Sequence, residues 1–83
     1  MSSESINILN NFFRHAEKIN LELLEGDKRY LRCLAMAAKP DRLRNALIAY
    51  IDHWQKAMQN ELNENKKQGE GRRAANNYIR DAI

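Results

Sequence analysis

One stretch of sequence, from Pro40 to Lys67, constrains the fold more than any other part of the chain. It has no glycine and no internal proline, and its apolar residues recur at steps of three and four. This spacing predicts one amphipathic helix about 40 Å long. Its apolar stripe contains Leu43, Leu47, Tyr50, Ile51, Trp54, Ala57, Met58 and Leu62.

Two shorter helices are predicted before this stretch. Residues 4–25 carry a broad apolar face that follows serines able to cap a helix, and Gly26 is placed to end it in the left-handed conformation. Asp27 then serves as the N-cap of a second helix over 28–38. Pro40 ends that helix and suits the first turn of the next one.

The end of the chain contains the clearest break in the helical pattern, at Gly69-Glu70-Gly71. We expect a helical domain over 1–68 and a glycine-linked C-terminal helix or flexible tail over 69–83. β-Branched residues are few and strict alternation is absent, so strands are not expected. The sequence predicts an all-α fold, a small three-helix domain with helices at about 4–25, 28–38 and 41–67.

The size of the chain limits how much core it can bury. With 83 residues it forms one domain, and domains this small are often stabilised by self-association. A single cysteine, Cys33, excludes an internal disulfide and fits a reducing compartment. The N-terminal residues lack the pattern of a signal peptide, and no apolar run is long enough to span a bilayer. We therefore expect a cytoplasmic homodimer without a membrane partner.

No group of residues in the sequence has the spacing of a catalytic or metal site. The two histidines, His15 and His53, have no second ligand one helical turn away. Asp52 and His53 are adjacent, so on a helix their side chains point about 100° apart. Cys33 lies one place off an apolar stripe, which favours packing over nucleophilic chemistry. The sequence predicts no enzyme activity, no metal and no cofactor.

Positive charge is concentrated between residues 28 and 48, where six basic residues stand against one acidic residue. Three interpretations are open. The cluster is solvated or neutralised by the acidic residues of segment 1–27, or it contacts nucleic-acid phosphates, or it binds an acidic protein. No aromatic residue interleaves with the charges to form a stacking platform for single strands. Its members are Lys28, Arg29, Arg32, Lys39, Arg42 and Arg44.

The second half of the long helix extends beyond the two helices before it, so its apolar residues must be buried by another surface. Aromatic residues and methionine are favoured at protein interfaces. We therefore expect self-association or partner binding there. The residues predicted to take part are Tyr50, Trp54, Met58 and Leu62.

Two functional hypotheses follow from these features. The first is a non-enzymatic helical protein–protein interaction module that self-associates, such as a regulator, an adaptor or an inhibitor from a mobile element. The second is a small nucleic-acid-binding regulator that uses the basic residues of 28–44. Binding by the second kind of protein weakens steeply with salt, because counterions are released from the phosphates.

Overall fold

The structure, a computed structural model, describes residues 2–82 and confirms the all-α fold. Within that range the chain forms four α-helices and one 3₁₀ turn, and no strand. The C-terminal helix is as long as the first one, so the domain has four helices and not three. The helices are α1 (Ser3–Lys18), α2 (Glu25–Ala37), α3 (Pro40–Asn60) and α4 (Lys67–Ala82), with the 3₁₀ turn at Glu64–Lys66.

Helix α1 begins at a serine cap, as predicted. The Ser2 hydroxyl accepts a hydrogen bond from the backbone N–H of Ser5 at 3.1 Å. This bond satisfies one of the N–H groups that the first turn of a helix leaves without an intrahelical partner. The sequence therefore predicts the first residue of α1 to within one position.

The predicted end of α1, at residue 25, is wrong, because the helix ends at Lys18. Asn20 has a φ of 61°, the left-handed conformation that asparagine tolerates better than most residues. Behind it, the N–H of Leu21 bonds to the carbonyl of Ala16 at 2.9 Å, and both residues are buried. This arrangement is a Schellman motif, which ends the helix while the chain keeps its apolar residues on the core.

Helix α2 begins at Glu25, three residues before the predicted start. Gly26 lies inside this helix with an ordinary φ, so it does not end α1. Asp27 is the third helical residue and not the N-cap. Its carboxylate reaches back to accept a hydrogen bond from the N–H of Leu24, the N-cap, at 3.0 Å.

Helix α3 begins at Pro40, one residue before the predicted start, and ends at Asn60, so it is about 30 Å long and not 40 Å. The polar residues after Asn60 were expected to continue the helix as solvated turns, but they form a non-helical turn. The Glu61 carboxylate accepts from the N–H of Asn63 at 3.0 Å, and the Asn63 side chain accepts from the N–H of Asn65 at 3.0 Å. These short-range bonds compete with the helix for the backbone N–H groups.

Helix α4 agrees with one of the two alternatives predicted for the end of the chain, a C-terminal helix, but it begins before the predicted glycine linker. The expected boundary between 68 and 69 falls inside this helix, and Gly69 and Gly71 are both helical. Its position against α3 explains why a glycine is needed there. A Cβ at Gly71 would lie 2.9 Å from Cγ of Trp54 and closer still to two other atoms of the indole ring. Gly71 thus allows the two helices to approach over a large aromatic side chain.

Helices α3 and α4 run antiparallel. Near the start of α3, the Arg42 guanidinium donates to the carbonyl of Ala82, at the end of α4, at 3.2 Å. Further along α3, Trp54 donates to Gln68, at the start of α4, at 3.0 Å. Helix α1 packs on the same core from another side, where the rings of Phe12 and Tyr50 meet edge to face with centroids 5.7 Å apart. The largest fully buried side chains are Trp54, Tyr50, Leu31, Leu43 and Ile79.

Candidate partner-binding surfaces

The four residues predicted to bind a partner along the long helix are divided by the structure. Tyr50 and Trp54 have no exposed surface, because α4 covers them. They belong to the core of the chain and offer no area to a partner. Met58 is half-buried, whereas Leu62 follows the end of α3 and is 95% exposed. Only the last two therefore remain as surface residues.

A polar network links α2, α3 and α4 beneath the surface. The buried Asp27 carboxylate accepts from Nε of Arg72 at 2.8 Å and from the side-chain amide of Asn76 at 3.0 Å. Asn76 in turn accepts from the Tyr50 hydroxyl at 2.9 Å. Burial raises the pKa of Tyr50, the Asp27 carboxylate raises it further, and Arg72 lowers it. The Tyr50 hydroxyl thus stays protonated and acts as a donor.

A second set of hydrogen bonds ties α4 to the loop between α1 and α2. The Gln68 side chain accepts from the Trp54 indole at 3.0 Å and from the N–H of Glu22 at 3.1 Å, and it donates to the carbonyl of Asn20 at 2.9 Å. Arg72 donates to the carbonyl of Glu22 at 2.7 Å, and its guanidinium lies 5.6 Å from the Trp54 ring centroid. Gln68 and Arg72 thus fix the loop against the core.

The polar side chains of both sets have hydrogen-bond partners within the chain. No buried side-chain nitrogen or oxygen of residues 2–82 lacks a hydrogen-bond partner. A catalytic site leaves polar groups directed at the place where a substrate sits. The network instead has the character of a structural device that positions α4.

Sequence reasoning missed this network, although a signal for it is present. Asp27 shares a helical face with Leu31 and Ala35, so a carboxylate stands in an apolar stripe. Helix α4 carries two stripes at four-residue steps. The polar stripe is Gln68, Arg72 and Asn76, and the buried one is Gly71, Ala75 and Ile79.

Three of the six predicted basic residues have partners among the described residues, two of them within their own helices. Lys28 pairs with Glu25 at 3.6 Å, and Arg44 pairs with Asp41 at 3.2 Å. Both pairs lie within one turn of their own helix, and the carboxylate of each is exposed to solvent, so each contributes little to stability. Arg42 makes the hydrogen bond to the end of α4 noted above.

The other three basic residues, Arg29, Arg32 and Lys39, have no carboxylate within 4.0 Å in the part of the chain that the structure describes. The Arg32 guanidinium lies 5.4 Å from the Phe13 ring centroid. Of the acidic residues in segment 1–27, only Glu25 pairs with the cluster. Most of the charge predicted to be neutralised by that segment therefore stays exposed.

A groove of about 390 Å³ lies at the junction of α2 and α3, and Lys39 is one of its lining residues. Its apolar lining comes from α2, and its charged lining from Lys39 and Arg42. On the adjoining ridge of α2, Met36 is 67% exposed and Cys33 is also exposed. We call the groove, this ridge and Arg29 together the junction surface. The groove is lined by Leu34, Ala37, Ala38, Lys39 and Arg42.

The residues considered for metal or nucleophilic chemistry lie apart. His15 is exposed on α1, and Cys33 is exposed on α2. His53 stacks on the ring of Tyr78 with centroids 4.3 Å apart. Among residues 2–82 no group of three or more histidine, cysteine or carboxylate side chains is placed to hold a metal ion.

Comparison with known proteins provides no relative. No protein-family model, no curated protein and no solved structure matches the chain. Within the described residues, no helix combines the length and apolar character needed to cross a bilayer. A functional assignment therefore depends on the surfaces of the molecule itself.

Proposed function

We propose that the protein is a non-enzymatic helical interaction module that binds another protein through the junction surface. A regulator, adaptor or inhibitor works in this way, by occupying a surface of its target. One observation carries the proposal: Arg29, Arg32 and Lys39 have no carboxylate partner within 4.0 Å among residues 2–82, and Lys39 lines an apolar groove together with Arg42. A surface that is both basic and apolar suits a protein with acidic and apolar side chains.

Nucleic acid is the alternative ligand for the same cations. Phosphates would accept hydrogen bonds from the arginines, but they offer nothing to the groove or to the exposed Met36 side chain. Sequence readers also use asparagine, glutamine or serine against base edges, and the exposed residues from Lys28 to Lys39 include none of these. A protein partner therefore accounts for more of the junction surface.

A capture experiment distinguishes the two ligands. We expect the wild-type protein, used as bait in an extract of the cells that produce it, to retain a protein after nuclease treatment. A variant carrying Arg29→Glu and Lys39→Glu should retain at least about tenfold less, because a contact to a buried opposite charge is replaced by repulsion. Retained protein is measured by quantitative mass spectrometry.

The matched control is Arg73→Glu, which reverses an exposed arginine on α4 outside the junction surface. It should behave as the wild type does. Retention that disappears with nuclease supports the nucleic-acid alternative. Equal retention by the charge-reversal variant contradicts binding through the junction surface.

Self-association is proposed at the opposite end of α3. Two junction surfaces would repel each other, because both are basic. Leu62 is exposed there, and a groove of about 310 Å³ near the same end of α3 is lined by three apolar and three polar residues, Ile19, Leu21, Met58, Gln55, Gln59 and Lys67. A second copy that buries Leu62 in this groove would gain about 2 kcal/mol for each leucine.

Sedimentation velocity over a range of concentrations tests this contact. Leu62→Ser should weaken the dimer by at least about tenfold, since each symmetric contact loses its apolar side chain. Ile48→Ser removes a different exposed apolar residue of α3 and should leave the dimer unchanged. A wild-type protein that stays monomeric at high micromolar concentration excludes the contact.

A further inference from the structure

We propose that the junction surface binds an acidic amphipathic helix of the partner, with carboxylates at both ends of an apolar stripe. This inference depends on the proposed function, since it specifies the partner of the same surface. It is argued from the placement of the cations, the apolar residues between them and the hydrogen bonding of α2.

The cations at the two ends of the surface set the spacing of the ligand's charges. Arg29 lies eight residues before Ala37, the last residue of α2, which is about 12 Å along the helix axis, and Lys39 follows two residues later as the N-cap of α3. Arg42 adds a second charge at the Lys39 end, where both residues line the groove. No acidic residue occurs from Lys28 to Pro40, whereas Glu4 and Asp41 line a neighbouring cavity with Lys39 and Arg42 and leave a smaller net positive charge at that end. A ligand that matches this surface carries carboxylates roughly 12–15 Å apart.

The residues between the cations set the chemistry of the middle of the ligand. Cys33, Met36 and Ala37 are exposed on α2, and none of them is charged. Beside them, the two alanines of the groove leave room that a larger side chain would fill. Methionine adapts its shape to apolar partners. A large aliphatic side chain at the centre of the ligand thus fits this part of the surface.

The ligand's backbone is expected to be helical. An extended segment needs an exposed strand edge to pair its N–H and C=O groups, and residues 2–82 contain no strand. Apart from its end turns, the backbone groups of α2 are already bonded within its own helix. A ligand helix satisfies its own backbone and presents only side chains. Ten residues of helix span the distance between the two charged ends.

The experiment uses the full-length protein labelled with ¹⁵N and a designed helical peptide of about five turns. The peptide has one stripe of leucines and glutamates about ten residues apart at both ends of that stripe. We expect backbone amide shifts that saturate with peptide and that cluster at Ala37, Ala38, Lys39 and Arg42. A peptide with glutamine in place of every glutamate should bind at least about tenfold more weakly, because neutral groups lose the charge-assisted contacts.

Two variants and one alternative probe make the result decisive. Arg29→Glu should weaken binding of the acidic peptide, and Arg73→Glu should not. Equal binding of the glutamine peptide, or shifts confined to other helices, would overturn the inference. Shifts at the same amides with a DNA duplex but not with the peptide would also overturn it. If the peptide fails while charge reversal still abolishes capture of a protein, the acidic-helix inference is wrong and the proposed function stands.

Discussion

Replacing Gly71 with alanine will lower the free energy of unfolding by about 2 kcal/mol. The new methyl group would meet the indole ring of Trp54 at less than 3.0 Å, and that ring is completely buried. Relief requires Trp54 to turn or α4 to move away, and either change strains the hydrogen bond from the indole to Gln68. Urea unfolding followed by circular dichroism measures the loss.

Gly69 provides a matched control two residues earlier in the same helix. It is exposed, and a Cβ there would meet nothing within 4 Å. Gly69→Ala should therefore stabilise the protein by about 0.5 kcal/mol, because alanine restricts the unfolded chain. Equal effects of the two substitutions would contradict the close approach of α4 to Trp54.

Replacing Asp27 with alanine will cost about 3 kcal/mol of stability. The substitution removes the acceptor of three hydrogen bonds, from Leu24, Arg72 and Asn76. It also leaves the Arg72 guanidinium, which is mostly buried, without its anion. Arg72 keeps its bond to a backbone carbonyl, so the loss falls at the lower end of the range for broken buried pairs. Urea unfolding at neutral pH provides the measurement.

One further substitution separates charge from shape at this position, and one at an exposed carboxylate serves as the control. Asp27→Asn keeps an acceptor oxygen and should cost about 1–2 kcal/mol. Asp52→Ala removes an exposed carboxylate that pairs with Lys56 at 2.9 Å, and it should change stability by less than about 0.5 kcal/mol. A loss at Asp27 no larger than that at Asp52 would contradict a stabilising role for the network.

Local signals in the sequence located the helix starts better than the helix ends. The Ser2 cap and Pro40 mark their boundaries through backbone hydrogen bonding and a fixed φ, and both effects act within a few residues. The stop at Asn20 was missed because Leu21 and Leu23 continue the apolar period into the loop. Apolar periodicity reports which residues face the core, and loop residues that fold onto the core imitate a helix.

Of the differences between prediction and structure, the helical form and packing of α4 changed the candidate site residues most. Glycine in a helix is normally unfavourable, so Gly69 and Gly71 were interpreted as a linker. Gly71 is tolerated because its missing side chain makes room for Trp54, and only tertiary packing determines that. Once α4 is docked, Tyr50 and Trp54 belong to the core, whereas the basic residues keep the exposure that their sequence positions suggest.

The groove of the junction surface could not be read from the sequence. The basic residues that border it were identifiable by charge alone. Its depth depends on the two-residue turn after α2 and on where α3 begins relative to Leu34 and Ala37. Such geometry arises from the path of the backbone, which residue types constrain only weakly.

The position of α4 in the chain has a consequence for biosynthesis. The bonds that hold the loop and the start of α2 to α4 join residues 45 to 50 positions apart. A ribosome releases the chain from its N-terminus, so α4 is the last of the four helices to emerge. Until it does, Trp54 lacks its cover and Asp27 lacks its counterion. The first three helices therefore emerge with an unfinished core, and the native fold is completed only after α4 has been released.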